Sequence, residues 1–251
     1  MPAPSSGDAS FDVAAAYAVE RELVRMRRAS GRATVGRKVG YANKAMWRAL
    51  KLDTLVWAHM YDDTVRYAAN GEAALDLSRM YAPKIEPEIV FKLRAPLGDV
   101  AGGAAAALAA VEWVALGFEI IDAVYPESKF QPADFVAAYG LHAALVVGEP
   151  RRIDDAAIPA LVDELPAFKL KLSKNGEVVE EGSGKNSLRS PALCLAELAA
   201  AIGRQTDADP LAAGELISSG TLTNSVPVRA GETWRAEVDS LDLAPLTLRT
   251  R

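Results

Sequence analysis

Lys84-Ile85-Glu86-Pro87-Glu88-Ile89-Val90-Phe91 is the stretch on which the fold turns: an apolar, strand-like run carrying two glutamates separated by a single proline. In an extended chain side chains alternate between faces, so Glu86, Glu88 and Val90 share one face while Ile85, Ile89 and Phe91 pack the other. Both carboxylates then point the same way, about 6–7 Å apart at Cα from the rise of a strand. Like charges that close, next to apolar residues, repel and are costly to desolvate unless a cation sits between them or one holds a proton. All-oxygen ligation suits a hard ion such as magnesium or manganese. Two readings follow from these residues alone: a metal-binding face, or an exposed face whose charges discourage edge pairing, with Pro87 marking the edge.

Outward from this run, composition bounds the molecule. The chain has 251 residues, half of them apolar, enough for a substantial core in one large domain or one domain with a small appendage. Acids and bases are interspersed and the net charge is −5, so nucleic-acid binding and attraction to anionic membranes find no basic stripe to rest on. Cys194 is the sole cysteine, which excludes an intramolecular disulfide and a Cys-rich zinc site. The first residues carry no secretory pattern and no segment reaches the length of a membrane span, so a cytoplasmic protein is expected.

Helical spacing runs from about Ser10 to Arg28 and stops at Gly31. A β-like segment over Val35–Tyr41, a helix over Lys44–Leu50, and a strand or loop over Leu55–Tyr61 come next. The alanine-rich stretch Ala101–Val114 reads as a helix that hands over to a strand at Phe118-Glu119-Ile120-Ile121-Asp122. Leu141–Val147 is an apolar run. Phe168–Leu172 alternates strictly before Lys174-Asn175-Gly176-Glu177, a hairpin turn signal, with Val178 and Val179 opening the second arm. A helix over Pro191–Ile202 follows, then Gly214–Gly220, and the tail from Trp234 to Leu248 is β-like. Short strands dominate the second half, as in a rolled sheet with helices outside.

Taken in order, Gly36-Arg37-Lys38-Val39-Gly40, Ile85-Glu86-Pro87-Glu88-Ile89, Gly117-Phe118-Glu119-Ile120-Ile121, Asn175–Val179 with Gly182 and Gly184, and Gly214–Thr221 with Pro227 and Gly231 resemble the fumarylacetoacetate hydrolase superfamily. Within it, the resemblance is to the 2-keto-4-pentenoate hydratase and 4-oxalocrotonate decarboxylase branch, and it spans nearly the whole chain. It implies an α+β fold, a mixed β-roll or barrel with helices packed outside and a small helical N-terminal region. Residues 1–75 would form that N-terminal region and 76–251 the catalytic β-roll, in one continuous unit. It implies that magnesium or manganese is held by Glu86, Glu88 and Glu119. Glu119 fits because its neighbours are apolar and a buried acid needs a partner, whereas Glu112, on the preceding helix, is assigned to a solvated face.

Residues alone read Lys38 as exposed on a short strand, with Arg37 turned inward to a salt bridge; the resemblance instead implies an active-site lysine, its pKa open to lowering by desolvation. Ser219, Gly220 and Thr221 lie where the family contacts substrate oxygens. An acid expected between the lysine and the metal strand is missing from Thr54–His59, and Asp62 or Asp63 is the candidate replacement. His142 opens a buried run, and a core histidine and a catalytic one fit equally; His59 is assigned a structural role. The implied chemistry is that of a divalent-metal-dependent lyase, a hydratase of 2-hydroxy-2,4-dienoates from aromatic-compound degradation. The alternatives are a decarboxylase of a 4-oxalocrotonate-like diacid, an acylpyruvate-type hydrolase, and, more distantly, a non-catalytic keto-acid binder. The expected partners are a small 2-keto acid and further copies of the chain in a homo-oligomer, with no nucleic acid and no membrane.

Overall fold

The structure, a computed structural model, describes residues 2–98, 103–125 and 130–251. The described helices are α1 (Pro4–Gly7), α2 (Val13–Ala29), α3 (Lys44–Leu50), α4 (Gly103–Ala109), α5 (Pro132–Ala137), α6 (Ile158–Ala167) and α7 (Pro191–Gly203). The first strands are β1 (Thr34–Gly40), β2 (Val56–Tyr61), β3 (Val65–Tyr67), β4 (Glu72–Leu75), β5 (Pro83–Leu93), β6 (Val111–Asp122) and β7 (His142–Val147). They are followed by β8 (Arg151–Arg152), β9 (Lys169–Lys174), β10 (Glu177–Ser183), β11 (Leu216–Ser218), β12 (Val226–Pro227), β13 (Thr233–Asp239) and β14 (Leu246–Thr250).

Two mixed sheets organise them. The larger runs β2-β1-β11-β5-β6-β7-β3, with β12 beside β5 and β8 beside β6; the smaller runs β10-β9-β13-β14-β4. Strands β1 to β4 join sheets whose other members begin at residue 83, so the first 75 residues are woven into the roll by pairings of β1 with β11, β3 with β7 and β4 with β14. The long β5–β6 antiparallel ladder is its spine, and its buried faces explain why near-continuous apolar runs form these strands. Helix α7 lies buried along much of its length through Ala192, Cys194, Leu195, Leu198, Ala199 and Ile202. Each such large aliphatic side chain contributes about 1.5–3 kcal/mol on burial, so Leu198→Asp would detach this helix.

Several local expectations are met by identifiable devices. Asp12 caps α2 by accepting from the Ala15 N–H at 2.8 Å. Asn175 and Gly176, at φ 51° and 88°, make the tight turn between β9 and β10. Two expectations are corrected. The helical reading of 101–114 holds only over Gly103–Ala109, residues 101 and 102 lying outside the described residues; Val111, Glu112, Trp113 and Val114 already belong to β6, paired with Leu93, Lys92 and Phe91. Non-local pairing overrides the alanine-rich lead-in, and Glu112 sits on a strand, in ion-pair contact with Lys92 at 3.2 Å. Nor is β5 an edge: β6 flanks one side and β11 with β12 the other. Pro87 is tolerated because β11 and β12 leave a gap beside it, bridged by the Leu222 N–H donating to the Pro87 carbonyl at 2.9 Å. Among the described residues, no helix is long and apolar enough to cross a membrane.

Candidate metal centre

Antiparallel register places Glu86 directly opposite Glu119, with Glu88 opposite Gly117. Same-face alternation on both strands then gathers the three acids, and one carboxylate oxygen from each lies within 4.8 Å of the others. Glu88 and Glu119 are wholly buried; Glu86 is half-buried and faces a cavity of about 600 Å³.

Each acid is held by neighbours of its own. Glu88 Oε2 accepts from the Ser218 hydroxyl and, at 2.9 Å, from the Gly220 N–H. Gly220 has φ +90°, and a Cβ there would meet Ala42 at 2.7 Å, so only glycine turns its N–H toward the carboxylate. Glu119 receives the Lys38 ammonium at 3.0 Å and His142 Nδ1 at 2.8 Å. Lys38 lies on β1, in register with Ser218 of β11, and donates to the Gly140 carbonyl at 3.0 Å over the Phe135 ring. Gly140 has φ +61°, and a Cβ would press to 2.7 Å from the lysine stem. These contacts lock the ammonium into one place.

Charge does not balance here. Three carboxylates face one ammonium. Burial, then Glu119 and Glu86, push Glu88 well above the ordinary carboxylate range. Burial also raises Glu86 to about 7, against the pull of Lys38. Burial works to raise Glu119 too, but Lys38 and His142 overcome it and hold it below its usual value. For Lys38 burial works downward, yet the three acids prevail and its pKa is raised, not lowered. The expectation of a desolvated lysine with depressed pKa is therefore corrected: the surplus of acids keeps it cationic.

The donor set fits a hard divalent ion. Glu88 Oε1 is buried with no hydrogen-bond partner. The contrast with Asp134 is internal to the molecule: equally buried, it accepts from the Ser5 N–H, the Ser5 hydroxyl and the Gln131 N–H at 2.6–2.8 Å. A buried carboxylate oxygen left without a donor, beside two further carboxylates, is what a cation would satisfy.

Of the other sequence-derived candidates, Gly220 and Thr221 line the cavity, while Ser219 turns away, its hydroxyl donating to the Ile89 carbonyl at 2.8 Å. His142 is enclosed between Glu119 and the Thr64 hydroxyl, 3.0 Å from Nε2, and does not line the cavity. It orients Glu119. Asp62 and Asp63 are exposed on the β2–β3 turn and are not brought to the acids; Asp63 pairs with Arg27 and Arg32. His59 is buried against Glu20 at 2.6 Å, in keeping with a structural role. Three contributors escaped the sequence reading. Ser218 could have been found by alternation from Ser219, whereas Thr64 depends on long-range packing. Tyr41 lines the cavity with φ +57°, a strained conformation for a residue with a Cβ, which its sequence neighbours do not reveal.

Comparison with known proteins bears on the fold and the family. A profile of the family described as fumarylacetoacetate (FAA) hydrolase C-terminal matches residues 56–248. The chain is 30% identical to a 2-hydroxyhexa-2,4-dienoate hydratase of Comamonas testosteroni, over 90% of this chain and 82% of that protein. It is 32% identical to a 4-oxalocrotonate decarboxylase of Pseudomonas sp, over 94% and 87% respectively. Among solved structures, 4-oxalocrotonate decarboxylase from Pseudomonas putida G7, complexed with magnesium and adipate, superposes with a TM-score of 0.88 at 26% identity, covering 100% of this chain and 90% of that one.

Proposed function

We propose, on the premise that this chain belongs to the fumarylacetoacetate hydrolase C-terminal family, that it is a divalent-metal-dependent lyase hydrating a 2-hydroxy-2,4-dienoate to a 4-hydroxy-2-keto acid. The observation that carries the reading is the convergence of the buried Glu88 and Glu119 with the half-buried Glu86, which lines a cavity together with Lys38. Glu86, Glu88 and Glu119 would hold a magnesium or manganese ion there, which would supply Lewis-acid polarisation of a bound 2-keto acid.

The chain's own residues do the rest. Ser218 and Gly220 fix one oxygen of Glu88, leaving Oε1 for the ion; His142 and Lys38 fix Glu119. Lys38, kept cationic by the three acids, presents a positive charge at this site that would offset the negative charge left on the 2-oxygen as its proton departs. In the net reaction that proton is lost from oxygen, one is gained at C5, and water adds its oxygen to C4 and a proton to C3. Burial and then Asp134 raise the Tyr41 hydroxyl to about 12, so it stays a hydrogen-bond donor at the cavity wall. Phe130, Phe135, Ile121 and Leu141 keep bulk water from the diene.

Decarboxylation of a keto diacid is the second reading, favoured by the 32% identical relative named for it. The hydrolytic alternative has less support, because among the described residues no histidine lines the cavity to activate water. We place the protein in the cytoplasm, where its buried free Cys194 stays reduced. Self-association into a homo-oligomer is supported by Val178 and Val179, half-exposed on the open edge strand β10. Incubation with 2-hydroxypenta-2,4-dienoate, 4-oxalocrotonate and an acylpyruvate, with and without magnesium, tests the reading by product mass. Hydration that requires the metal is expected; loss of carbon dioxide alone would move the protein to the decarboxylase reading.

A further inference from the structure

The cavity above the acids has an uneven lining. Its lining combines the apolar side chains of Ile121, Phe130, Phe135, Leu141 and Met46 with neutral polar residues such as Asn43 and Ser225, and two acids of β10, Glu180 and Glu181, border it. Among the described lining residues Lys38 is the cation, and its ammonium is already committed to Glu119 and the Gly140 carbonyl at the floor. Glu180 is half-buried and met by the neutral Asn224 amide at 3.4 Å. Glu181 is exposed and stands opposite Lys171 in the β9–β10 ladder, so its charge is partly offset. A keto acid held by its C1 and C2 oxygens next to Glu86 would have its far end within the same cavity that Glu180 and Glu181 border.

We propose that Glu180 and Glu181 make the site selective for 2-keto acids whose far end is uncharged, turning away substrates that carry a second carboxylate. The inference rests on the hydratase reading and sharpens it, because a dienoate with a neutral tail is a hydratase substrate and a keto diacid is a decarboxylase substrate. The physical cause is like-charge repulsion across a half-desolvated cavity. At roughly 8 Å and an effective dielectric between protein and water, each carboxylate disfavours a second anion several-fold, and the pair about tenfold. Glu180, more buried and met only by an amide, is the stronger contributor.

A matched pair of saturated probes isolates this effect from chemistry. 2-Oxohexanoate and 2-oxoadipate share six carbons and the chelating end, differ in the tail carboxylate, and have no diene to hydrate. Calorimetry on the magnesium-loaded protein is expected to show 2-oxohexanoate bound about tenfold more tightly than 2-oxoadipate. The double variant E180Q/E181Q should shrink that ratio to within about twofold, and Glu180→Gln alone should account for most of the change. Glu177→Gln, on the same hairpin but outside the cavity, should leave the ratio where it was. Raising salt from low to about 0.5 M should narrow the wild-type ratio by screening, an arm that needs no variant. Equal or tighter binding of 2-oxoadipate by the wild type, or a ratio indifferent to the double variant, would overturn the proposal. Failure of the hydratase reading looks different: no dienoate is turned over, while the probe ratio still responds to Glu180 and Glu181.

Discussion

Arg37 and Lys38 are adjacent on β1, point to opposite faces of the same sheet, and are both fully buried. On Arg37's side one guanidinium meets one nearby carboxylate, and a second acid is taken up by a histidine. Its guanidinium contacts Glu215 at 3.0 Å and the Asp209 carbonyl at 3.3 Å and lies over the Trp57 ring, while His59 faces Glu20 at 2.6 Å. On Lys38's side three acids converge on one ammonium. The first arrangement is a buried ion-pair network whose loss leaves a stranded charge. The second is in deficit by itself and becomes complete only when something positive arrives. Burial of charge is therefore no marker of function in this molecule; its imbalance is.

The largest expected effect is on the deficient face. Glu88→Gln or Glu119→Gln should abolish magnesium uptake in a calorimetric titration and lower turnover by about a thousandfold or more, the loss of several kcal/mol of transition-state stabilisation. The same Glu88→Gln change should leave the metal-free protein at least as stable as wild type at pH 8, because it removes a carboxylate that burial penalises. On the balanced face the outcome inverts. Arg37→Met should cost about 3 kcal/mol of stability by leaving Glu215 without its partner, read as a lowered midpoint in urea, with magnesium affinity retained by the folded fraction. A metal-free Glu88→Gln protein that unfolds more easily than wild type would erase the distinction between the faces.

The pH dependence should also separate them. Glu86, raised to about 7, binds a proton more readily folded than unfolded. Between its ordinary range and about 7 the folded state therefore holds more protons, so stability of the metal-free protein falls as pH rises through that window. Glu119 acts oppositely in acid, its stabilisation present above the usual carboxylate range and lost as pH drops through its lowered pKa. Saturating magnesium should remove the first trend, since the ion replaces the proton, and magnesium affinity should fall below about pH 7. Thermal melts at pH 5.5, 7 and 8.5, with and without the metal, check this; a metal-free protein that gains stability steadily across the range contradicts it. His142→Gln, which loosens Glu119 without removing a ligand, should weaken magnesium binding by about 10–100-fold.

Part of the deficient face was legible in the sequence because strand alternation is local: it put Glu86 and Glu88 on one face, as a metal site or a charged edge, and the family resemblance added Glu119. What the sequence concealed was non-local. The Glu86–Glu119 register is set by the β5–β6 ladder, Lys38 reaches Glu119 although β11 and β5 lie between β1 and β6, and Thr64 meets His142 from 78 residues away. The helix-to-strand boundary after Ala109 was misplaced for the same reason, since alanine-rich sequence carries a helical preference that strand pairing overrides at Val111. The roll itself was legible chiefly through ordered motifs and the Asn175-Gly176 turn; β4, whose short Glu72–Leu75 segment pairs in parallel with β14 near the end of the chain, had no local signal.

The smallest effect belongs to the acid that sequence reasoning offered as a catalyst. Asp63 sits on the β2–β3 turn between Arg27 and Arg32, its side chain 28% exposed, and its neighbour Asp62 is exposed outright. A solvent-screened pair of this kind contributes less than about 1 kcal/mol. Asp63→Asn should therefore move the urea midpoint slightly, more at low salt than at high, and Asp62→Asn less still, with kcat within about twofold of wild type in both. Thr64 makes the experiment discriminating, because it follows Asp63 in the chain and touches His142. Thr64→Val should loosen His142 and, through it, Glu119, lowering magnesium affinity where Asp63→Asn does not. A loss of kcat in Asp63→Asn comparable to that in Glu119→Gln would return the turn to the active site and require the loop to close over the cavity during turnover.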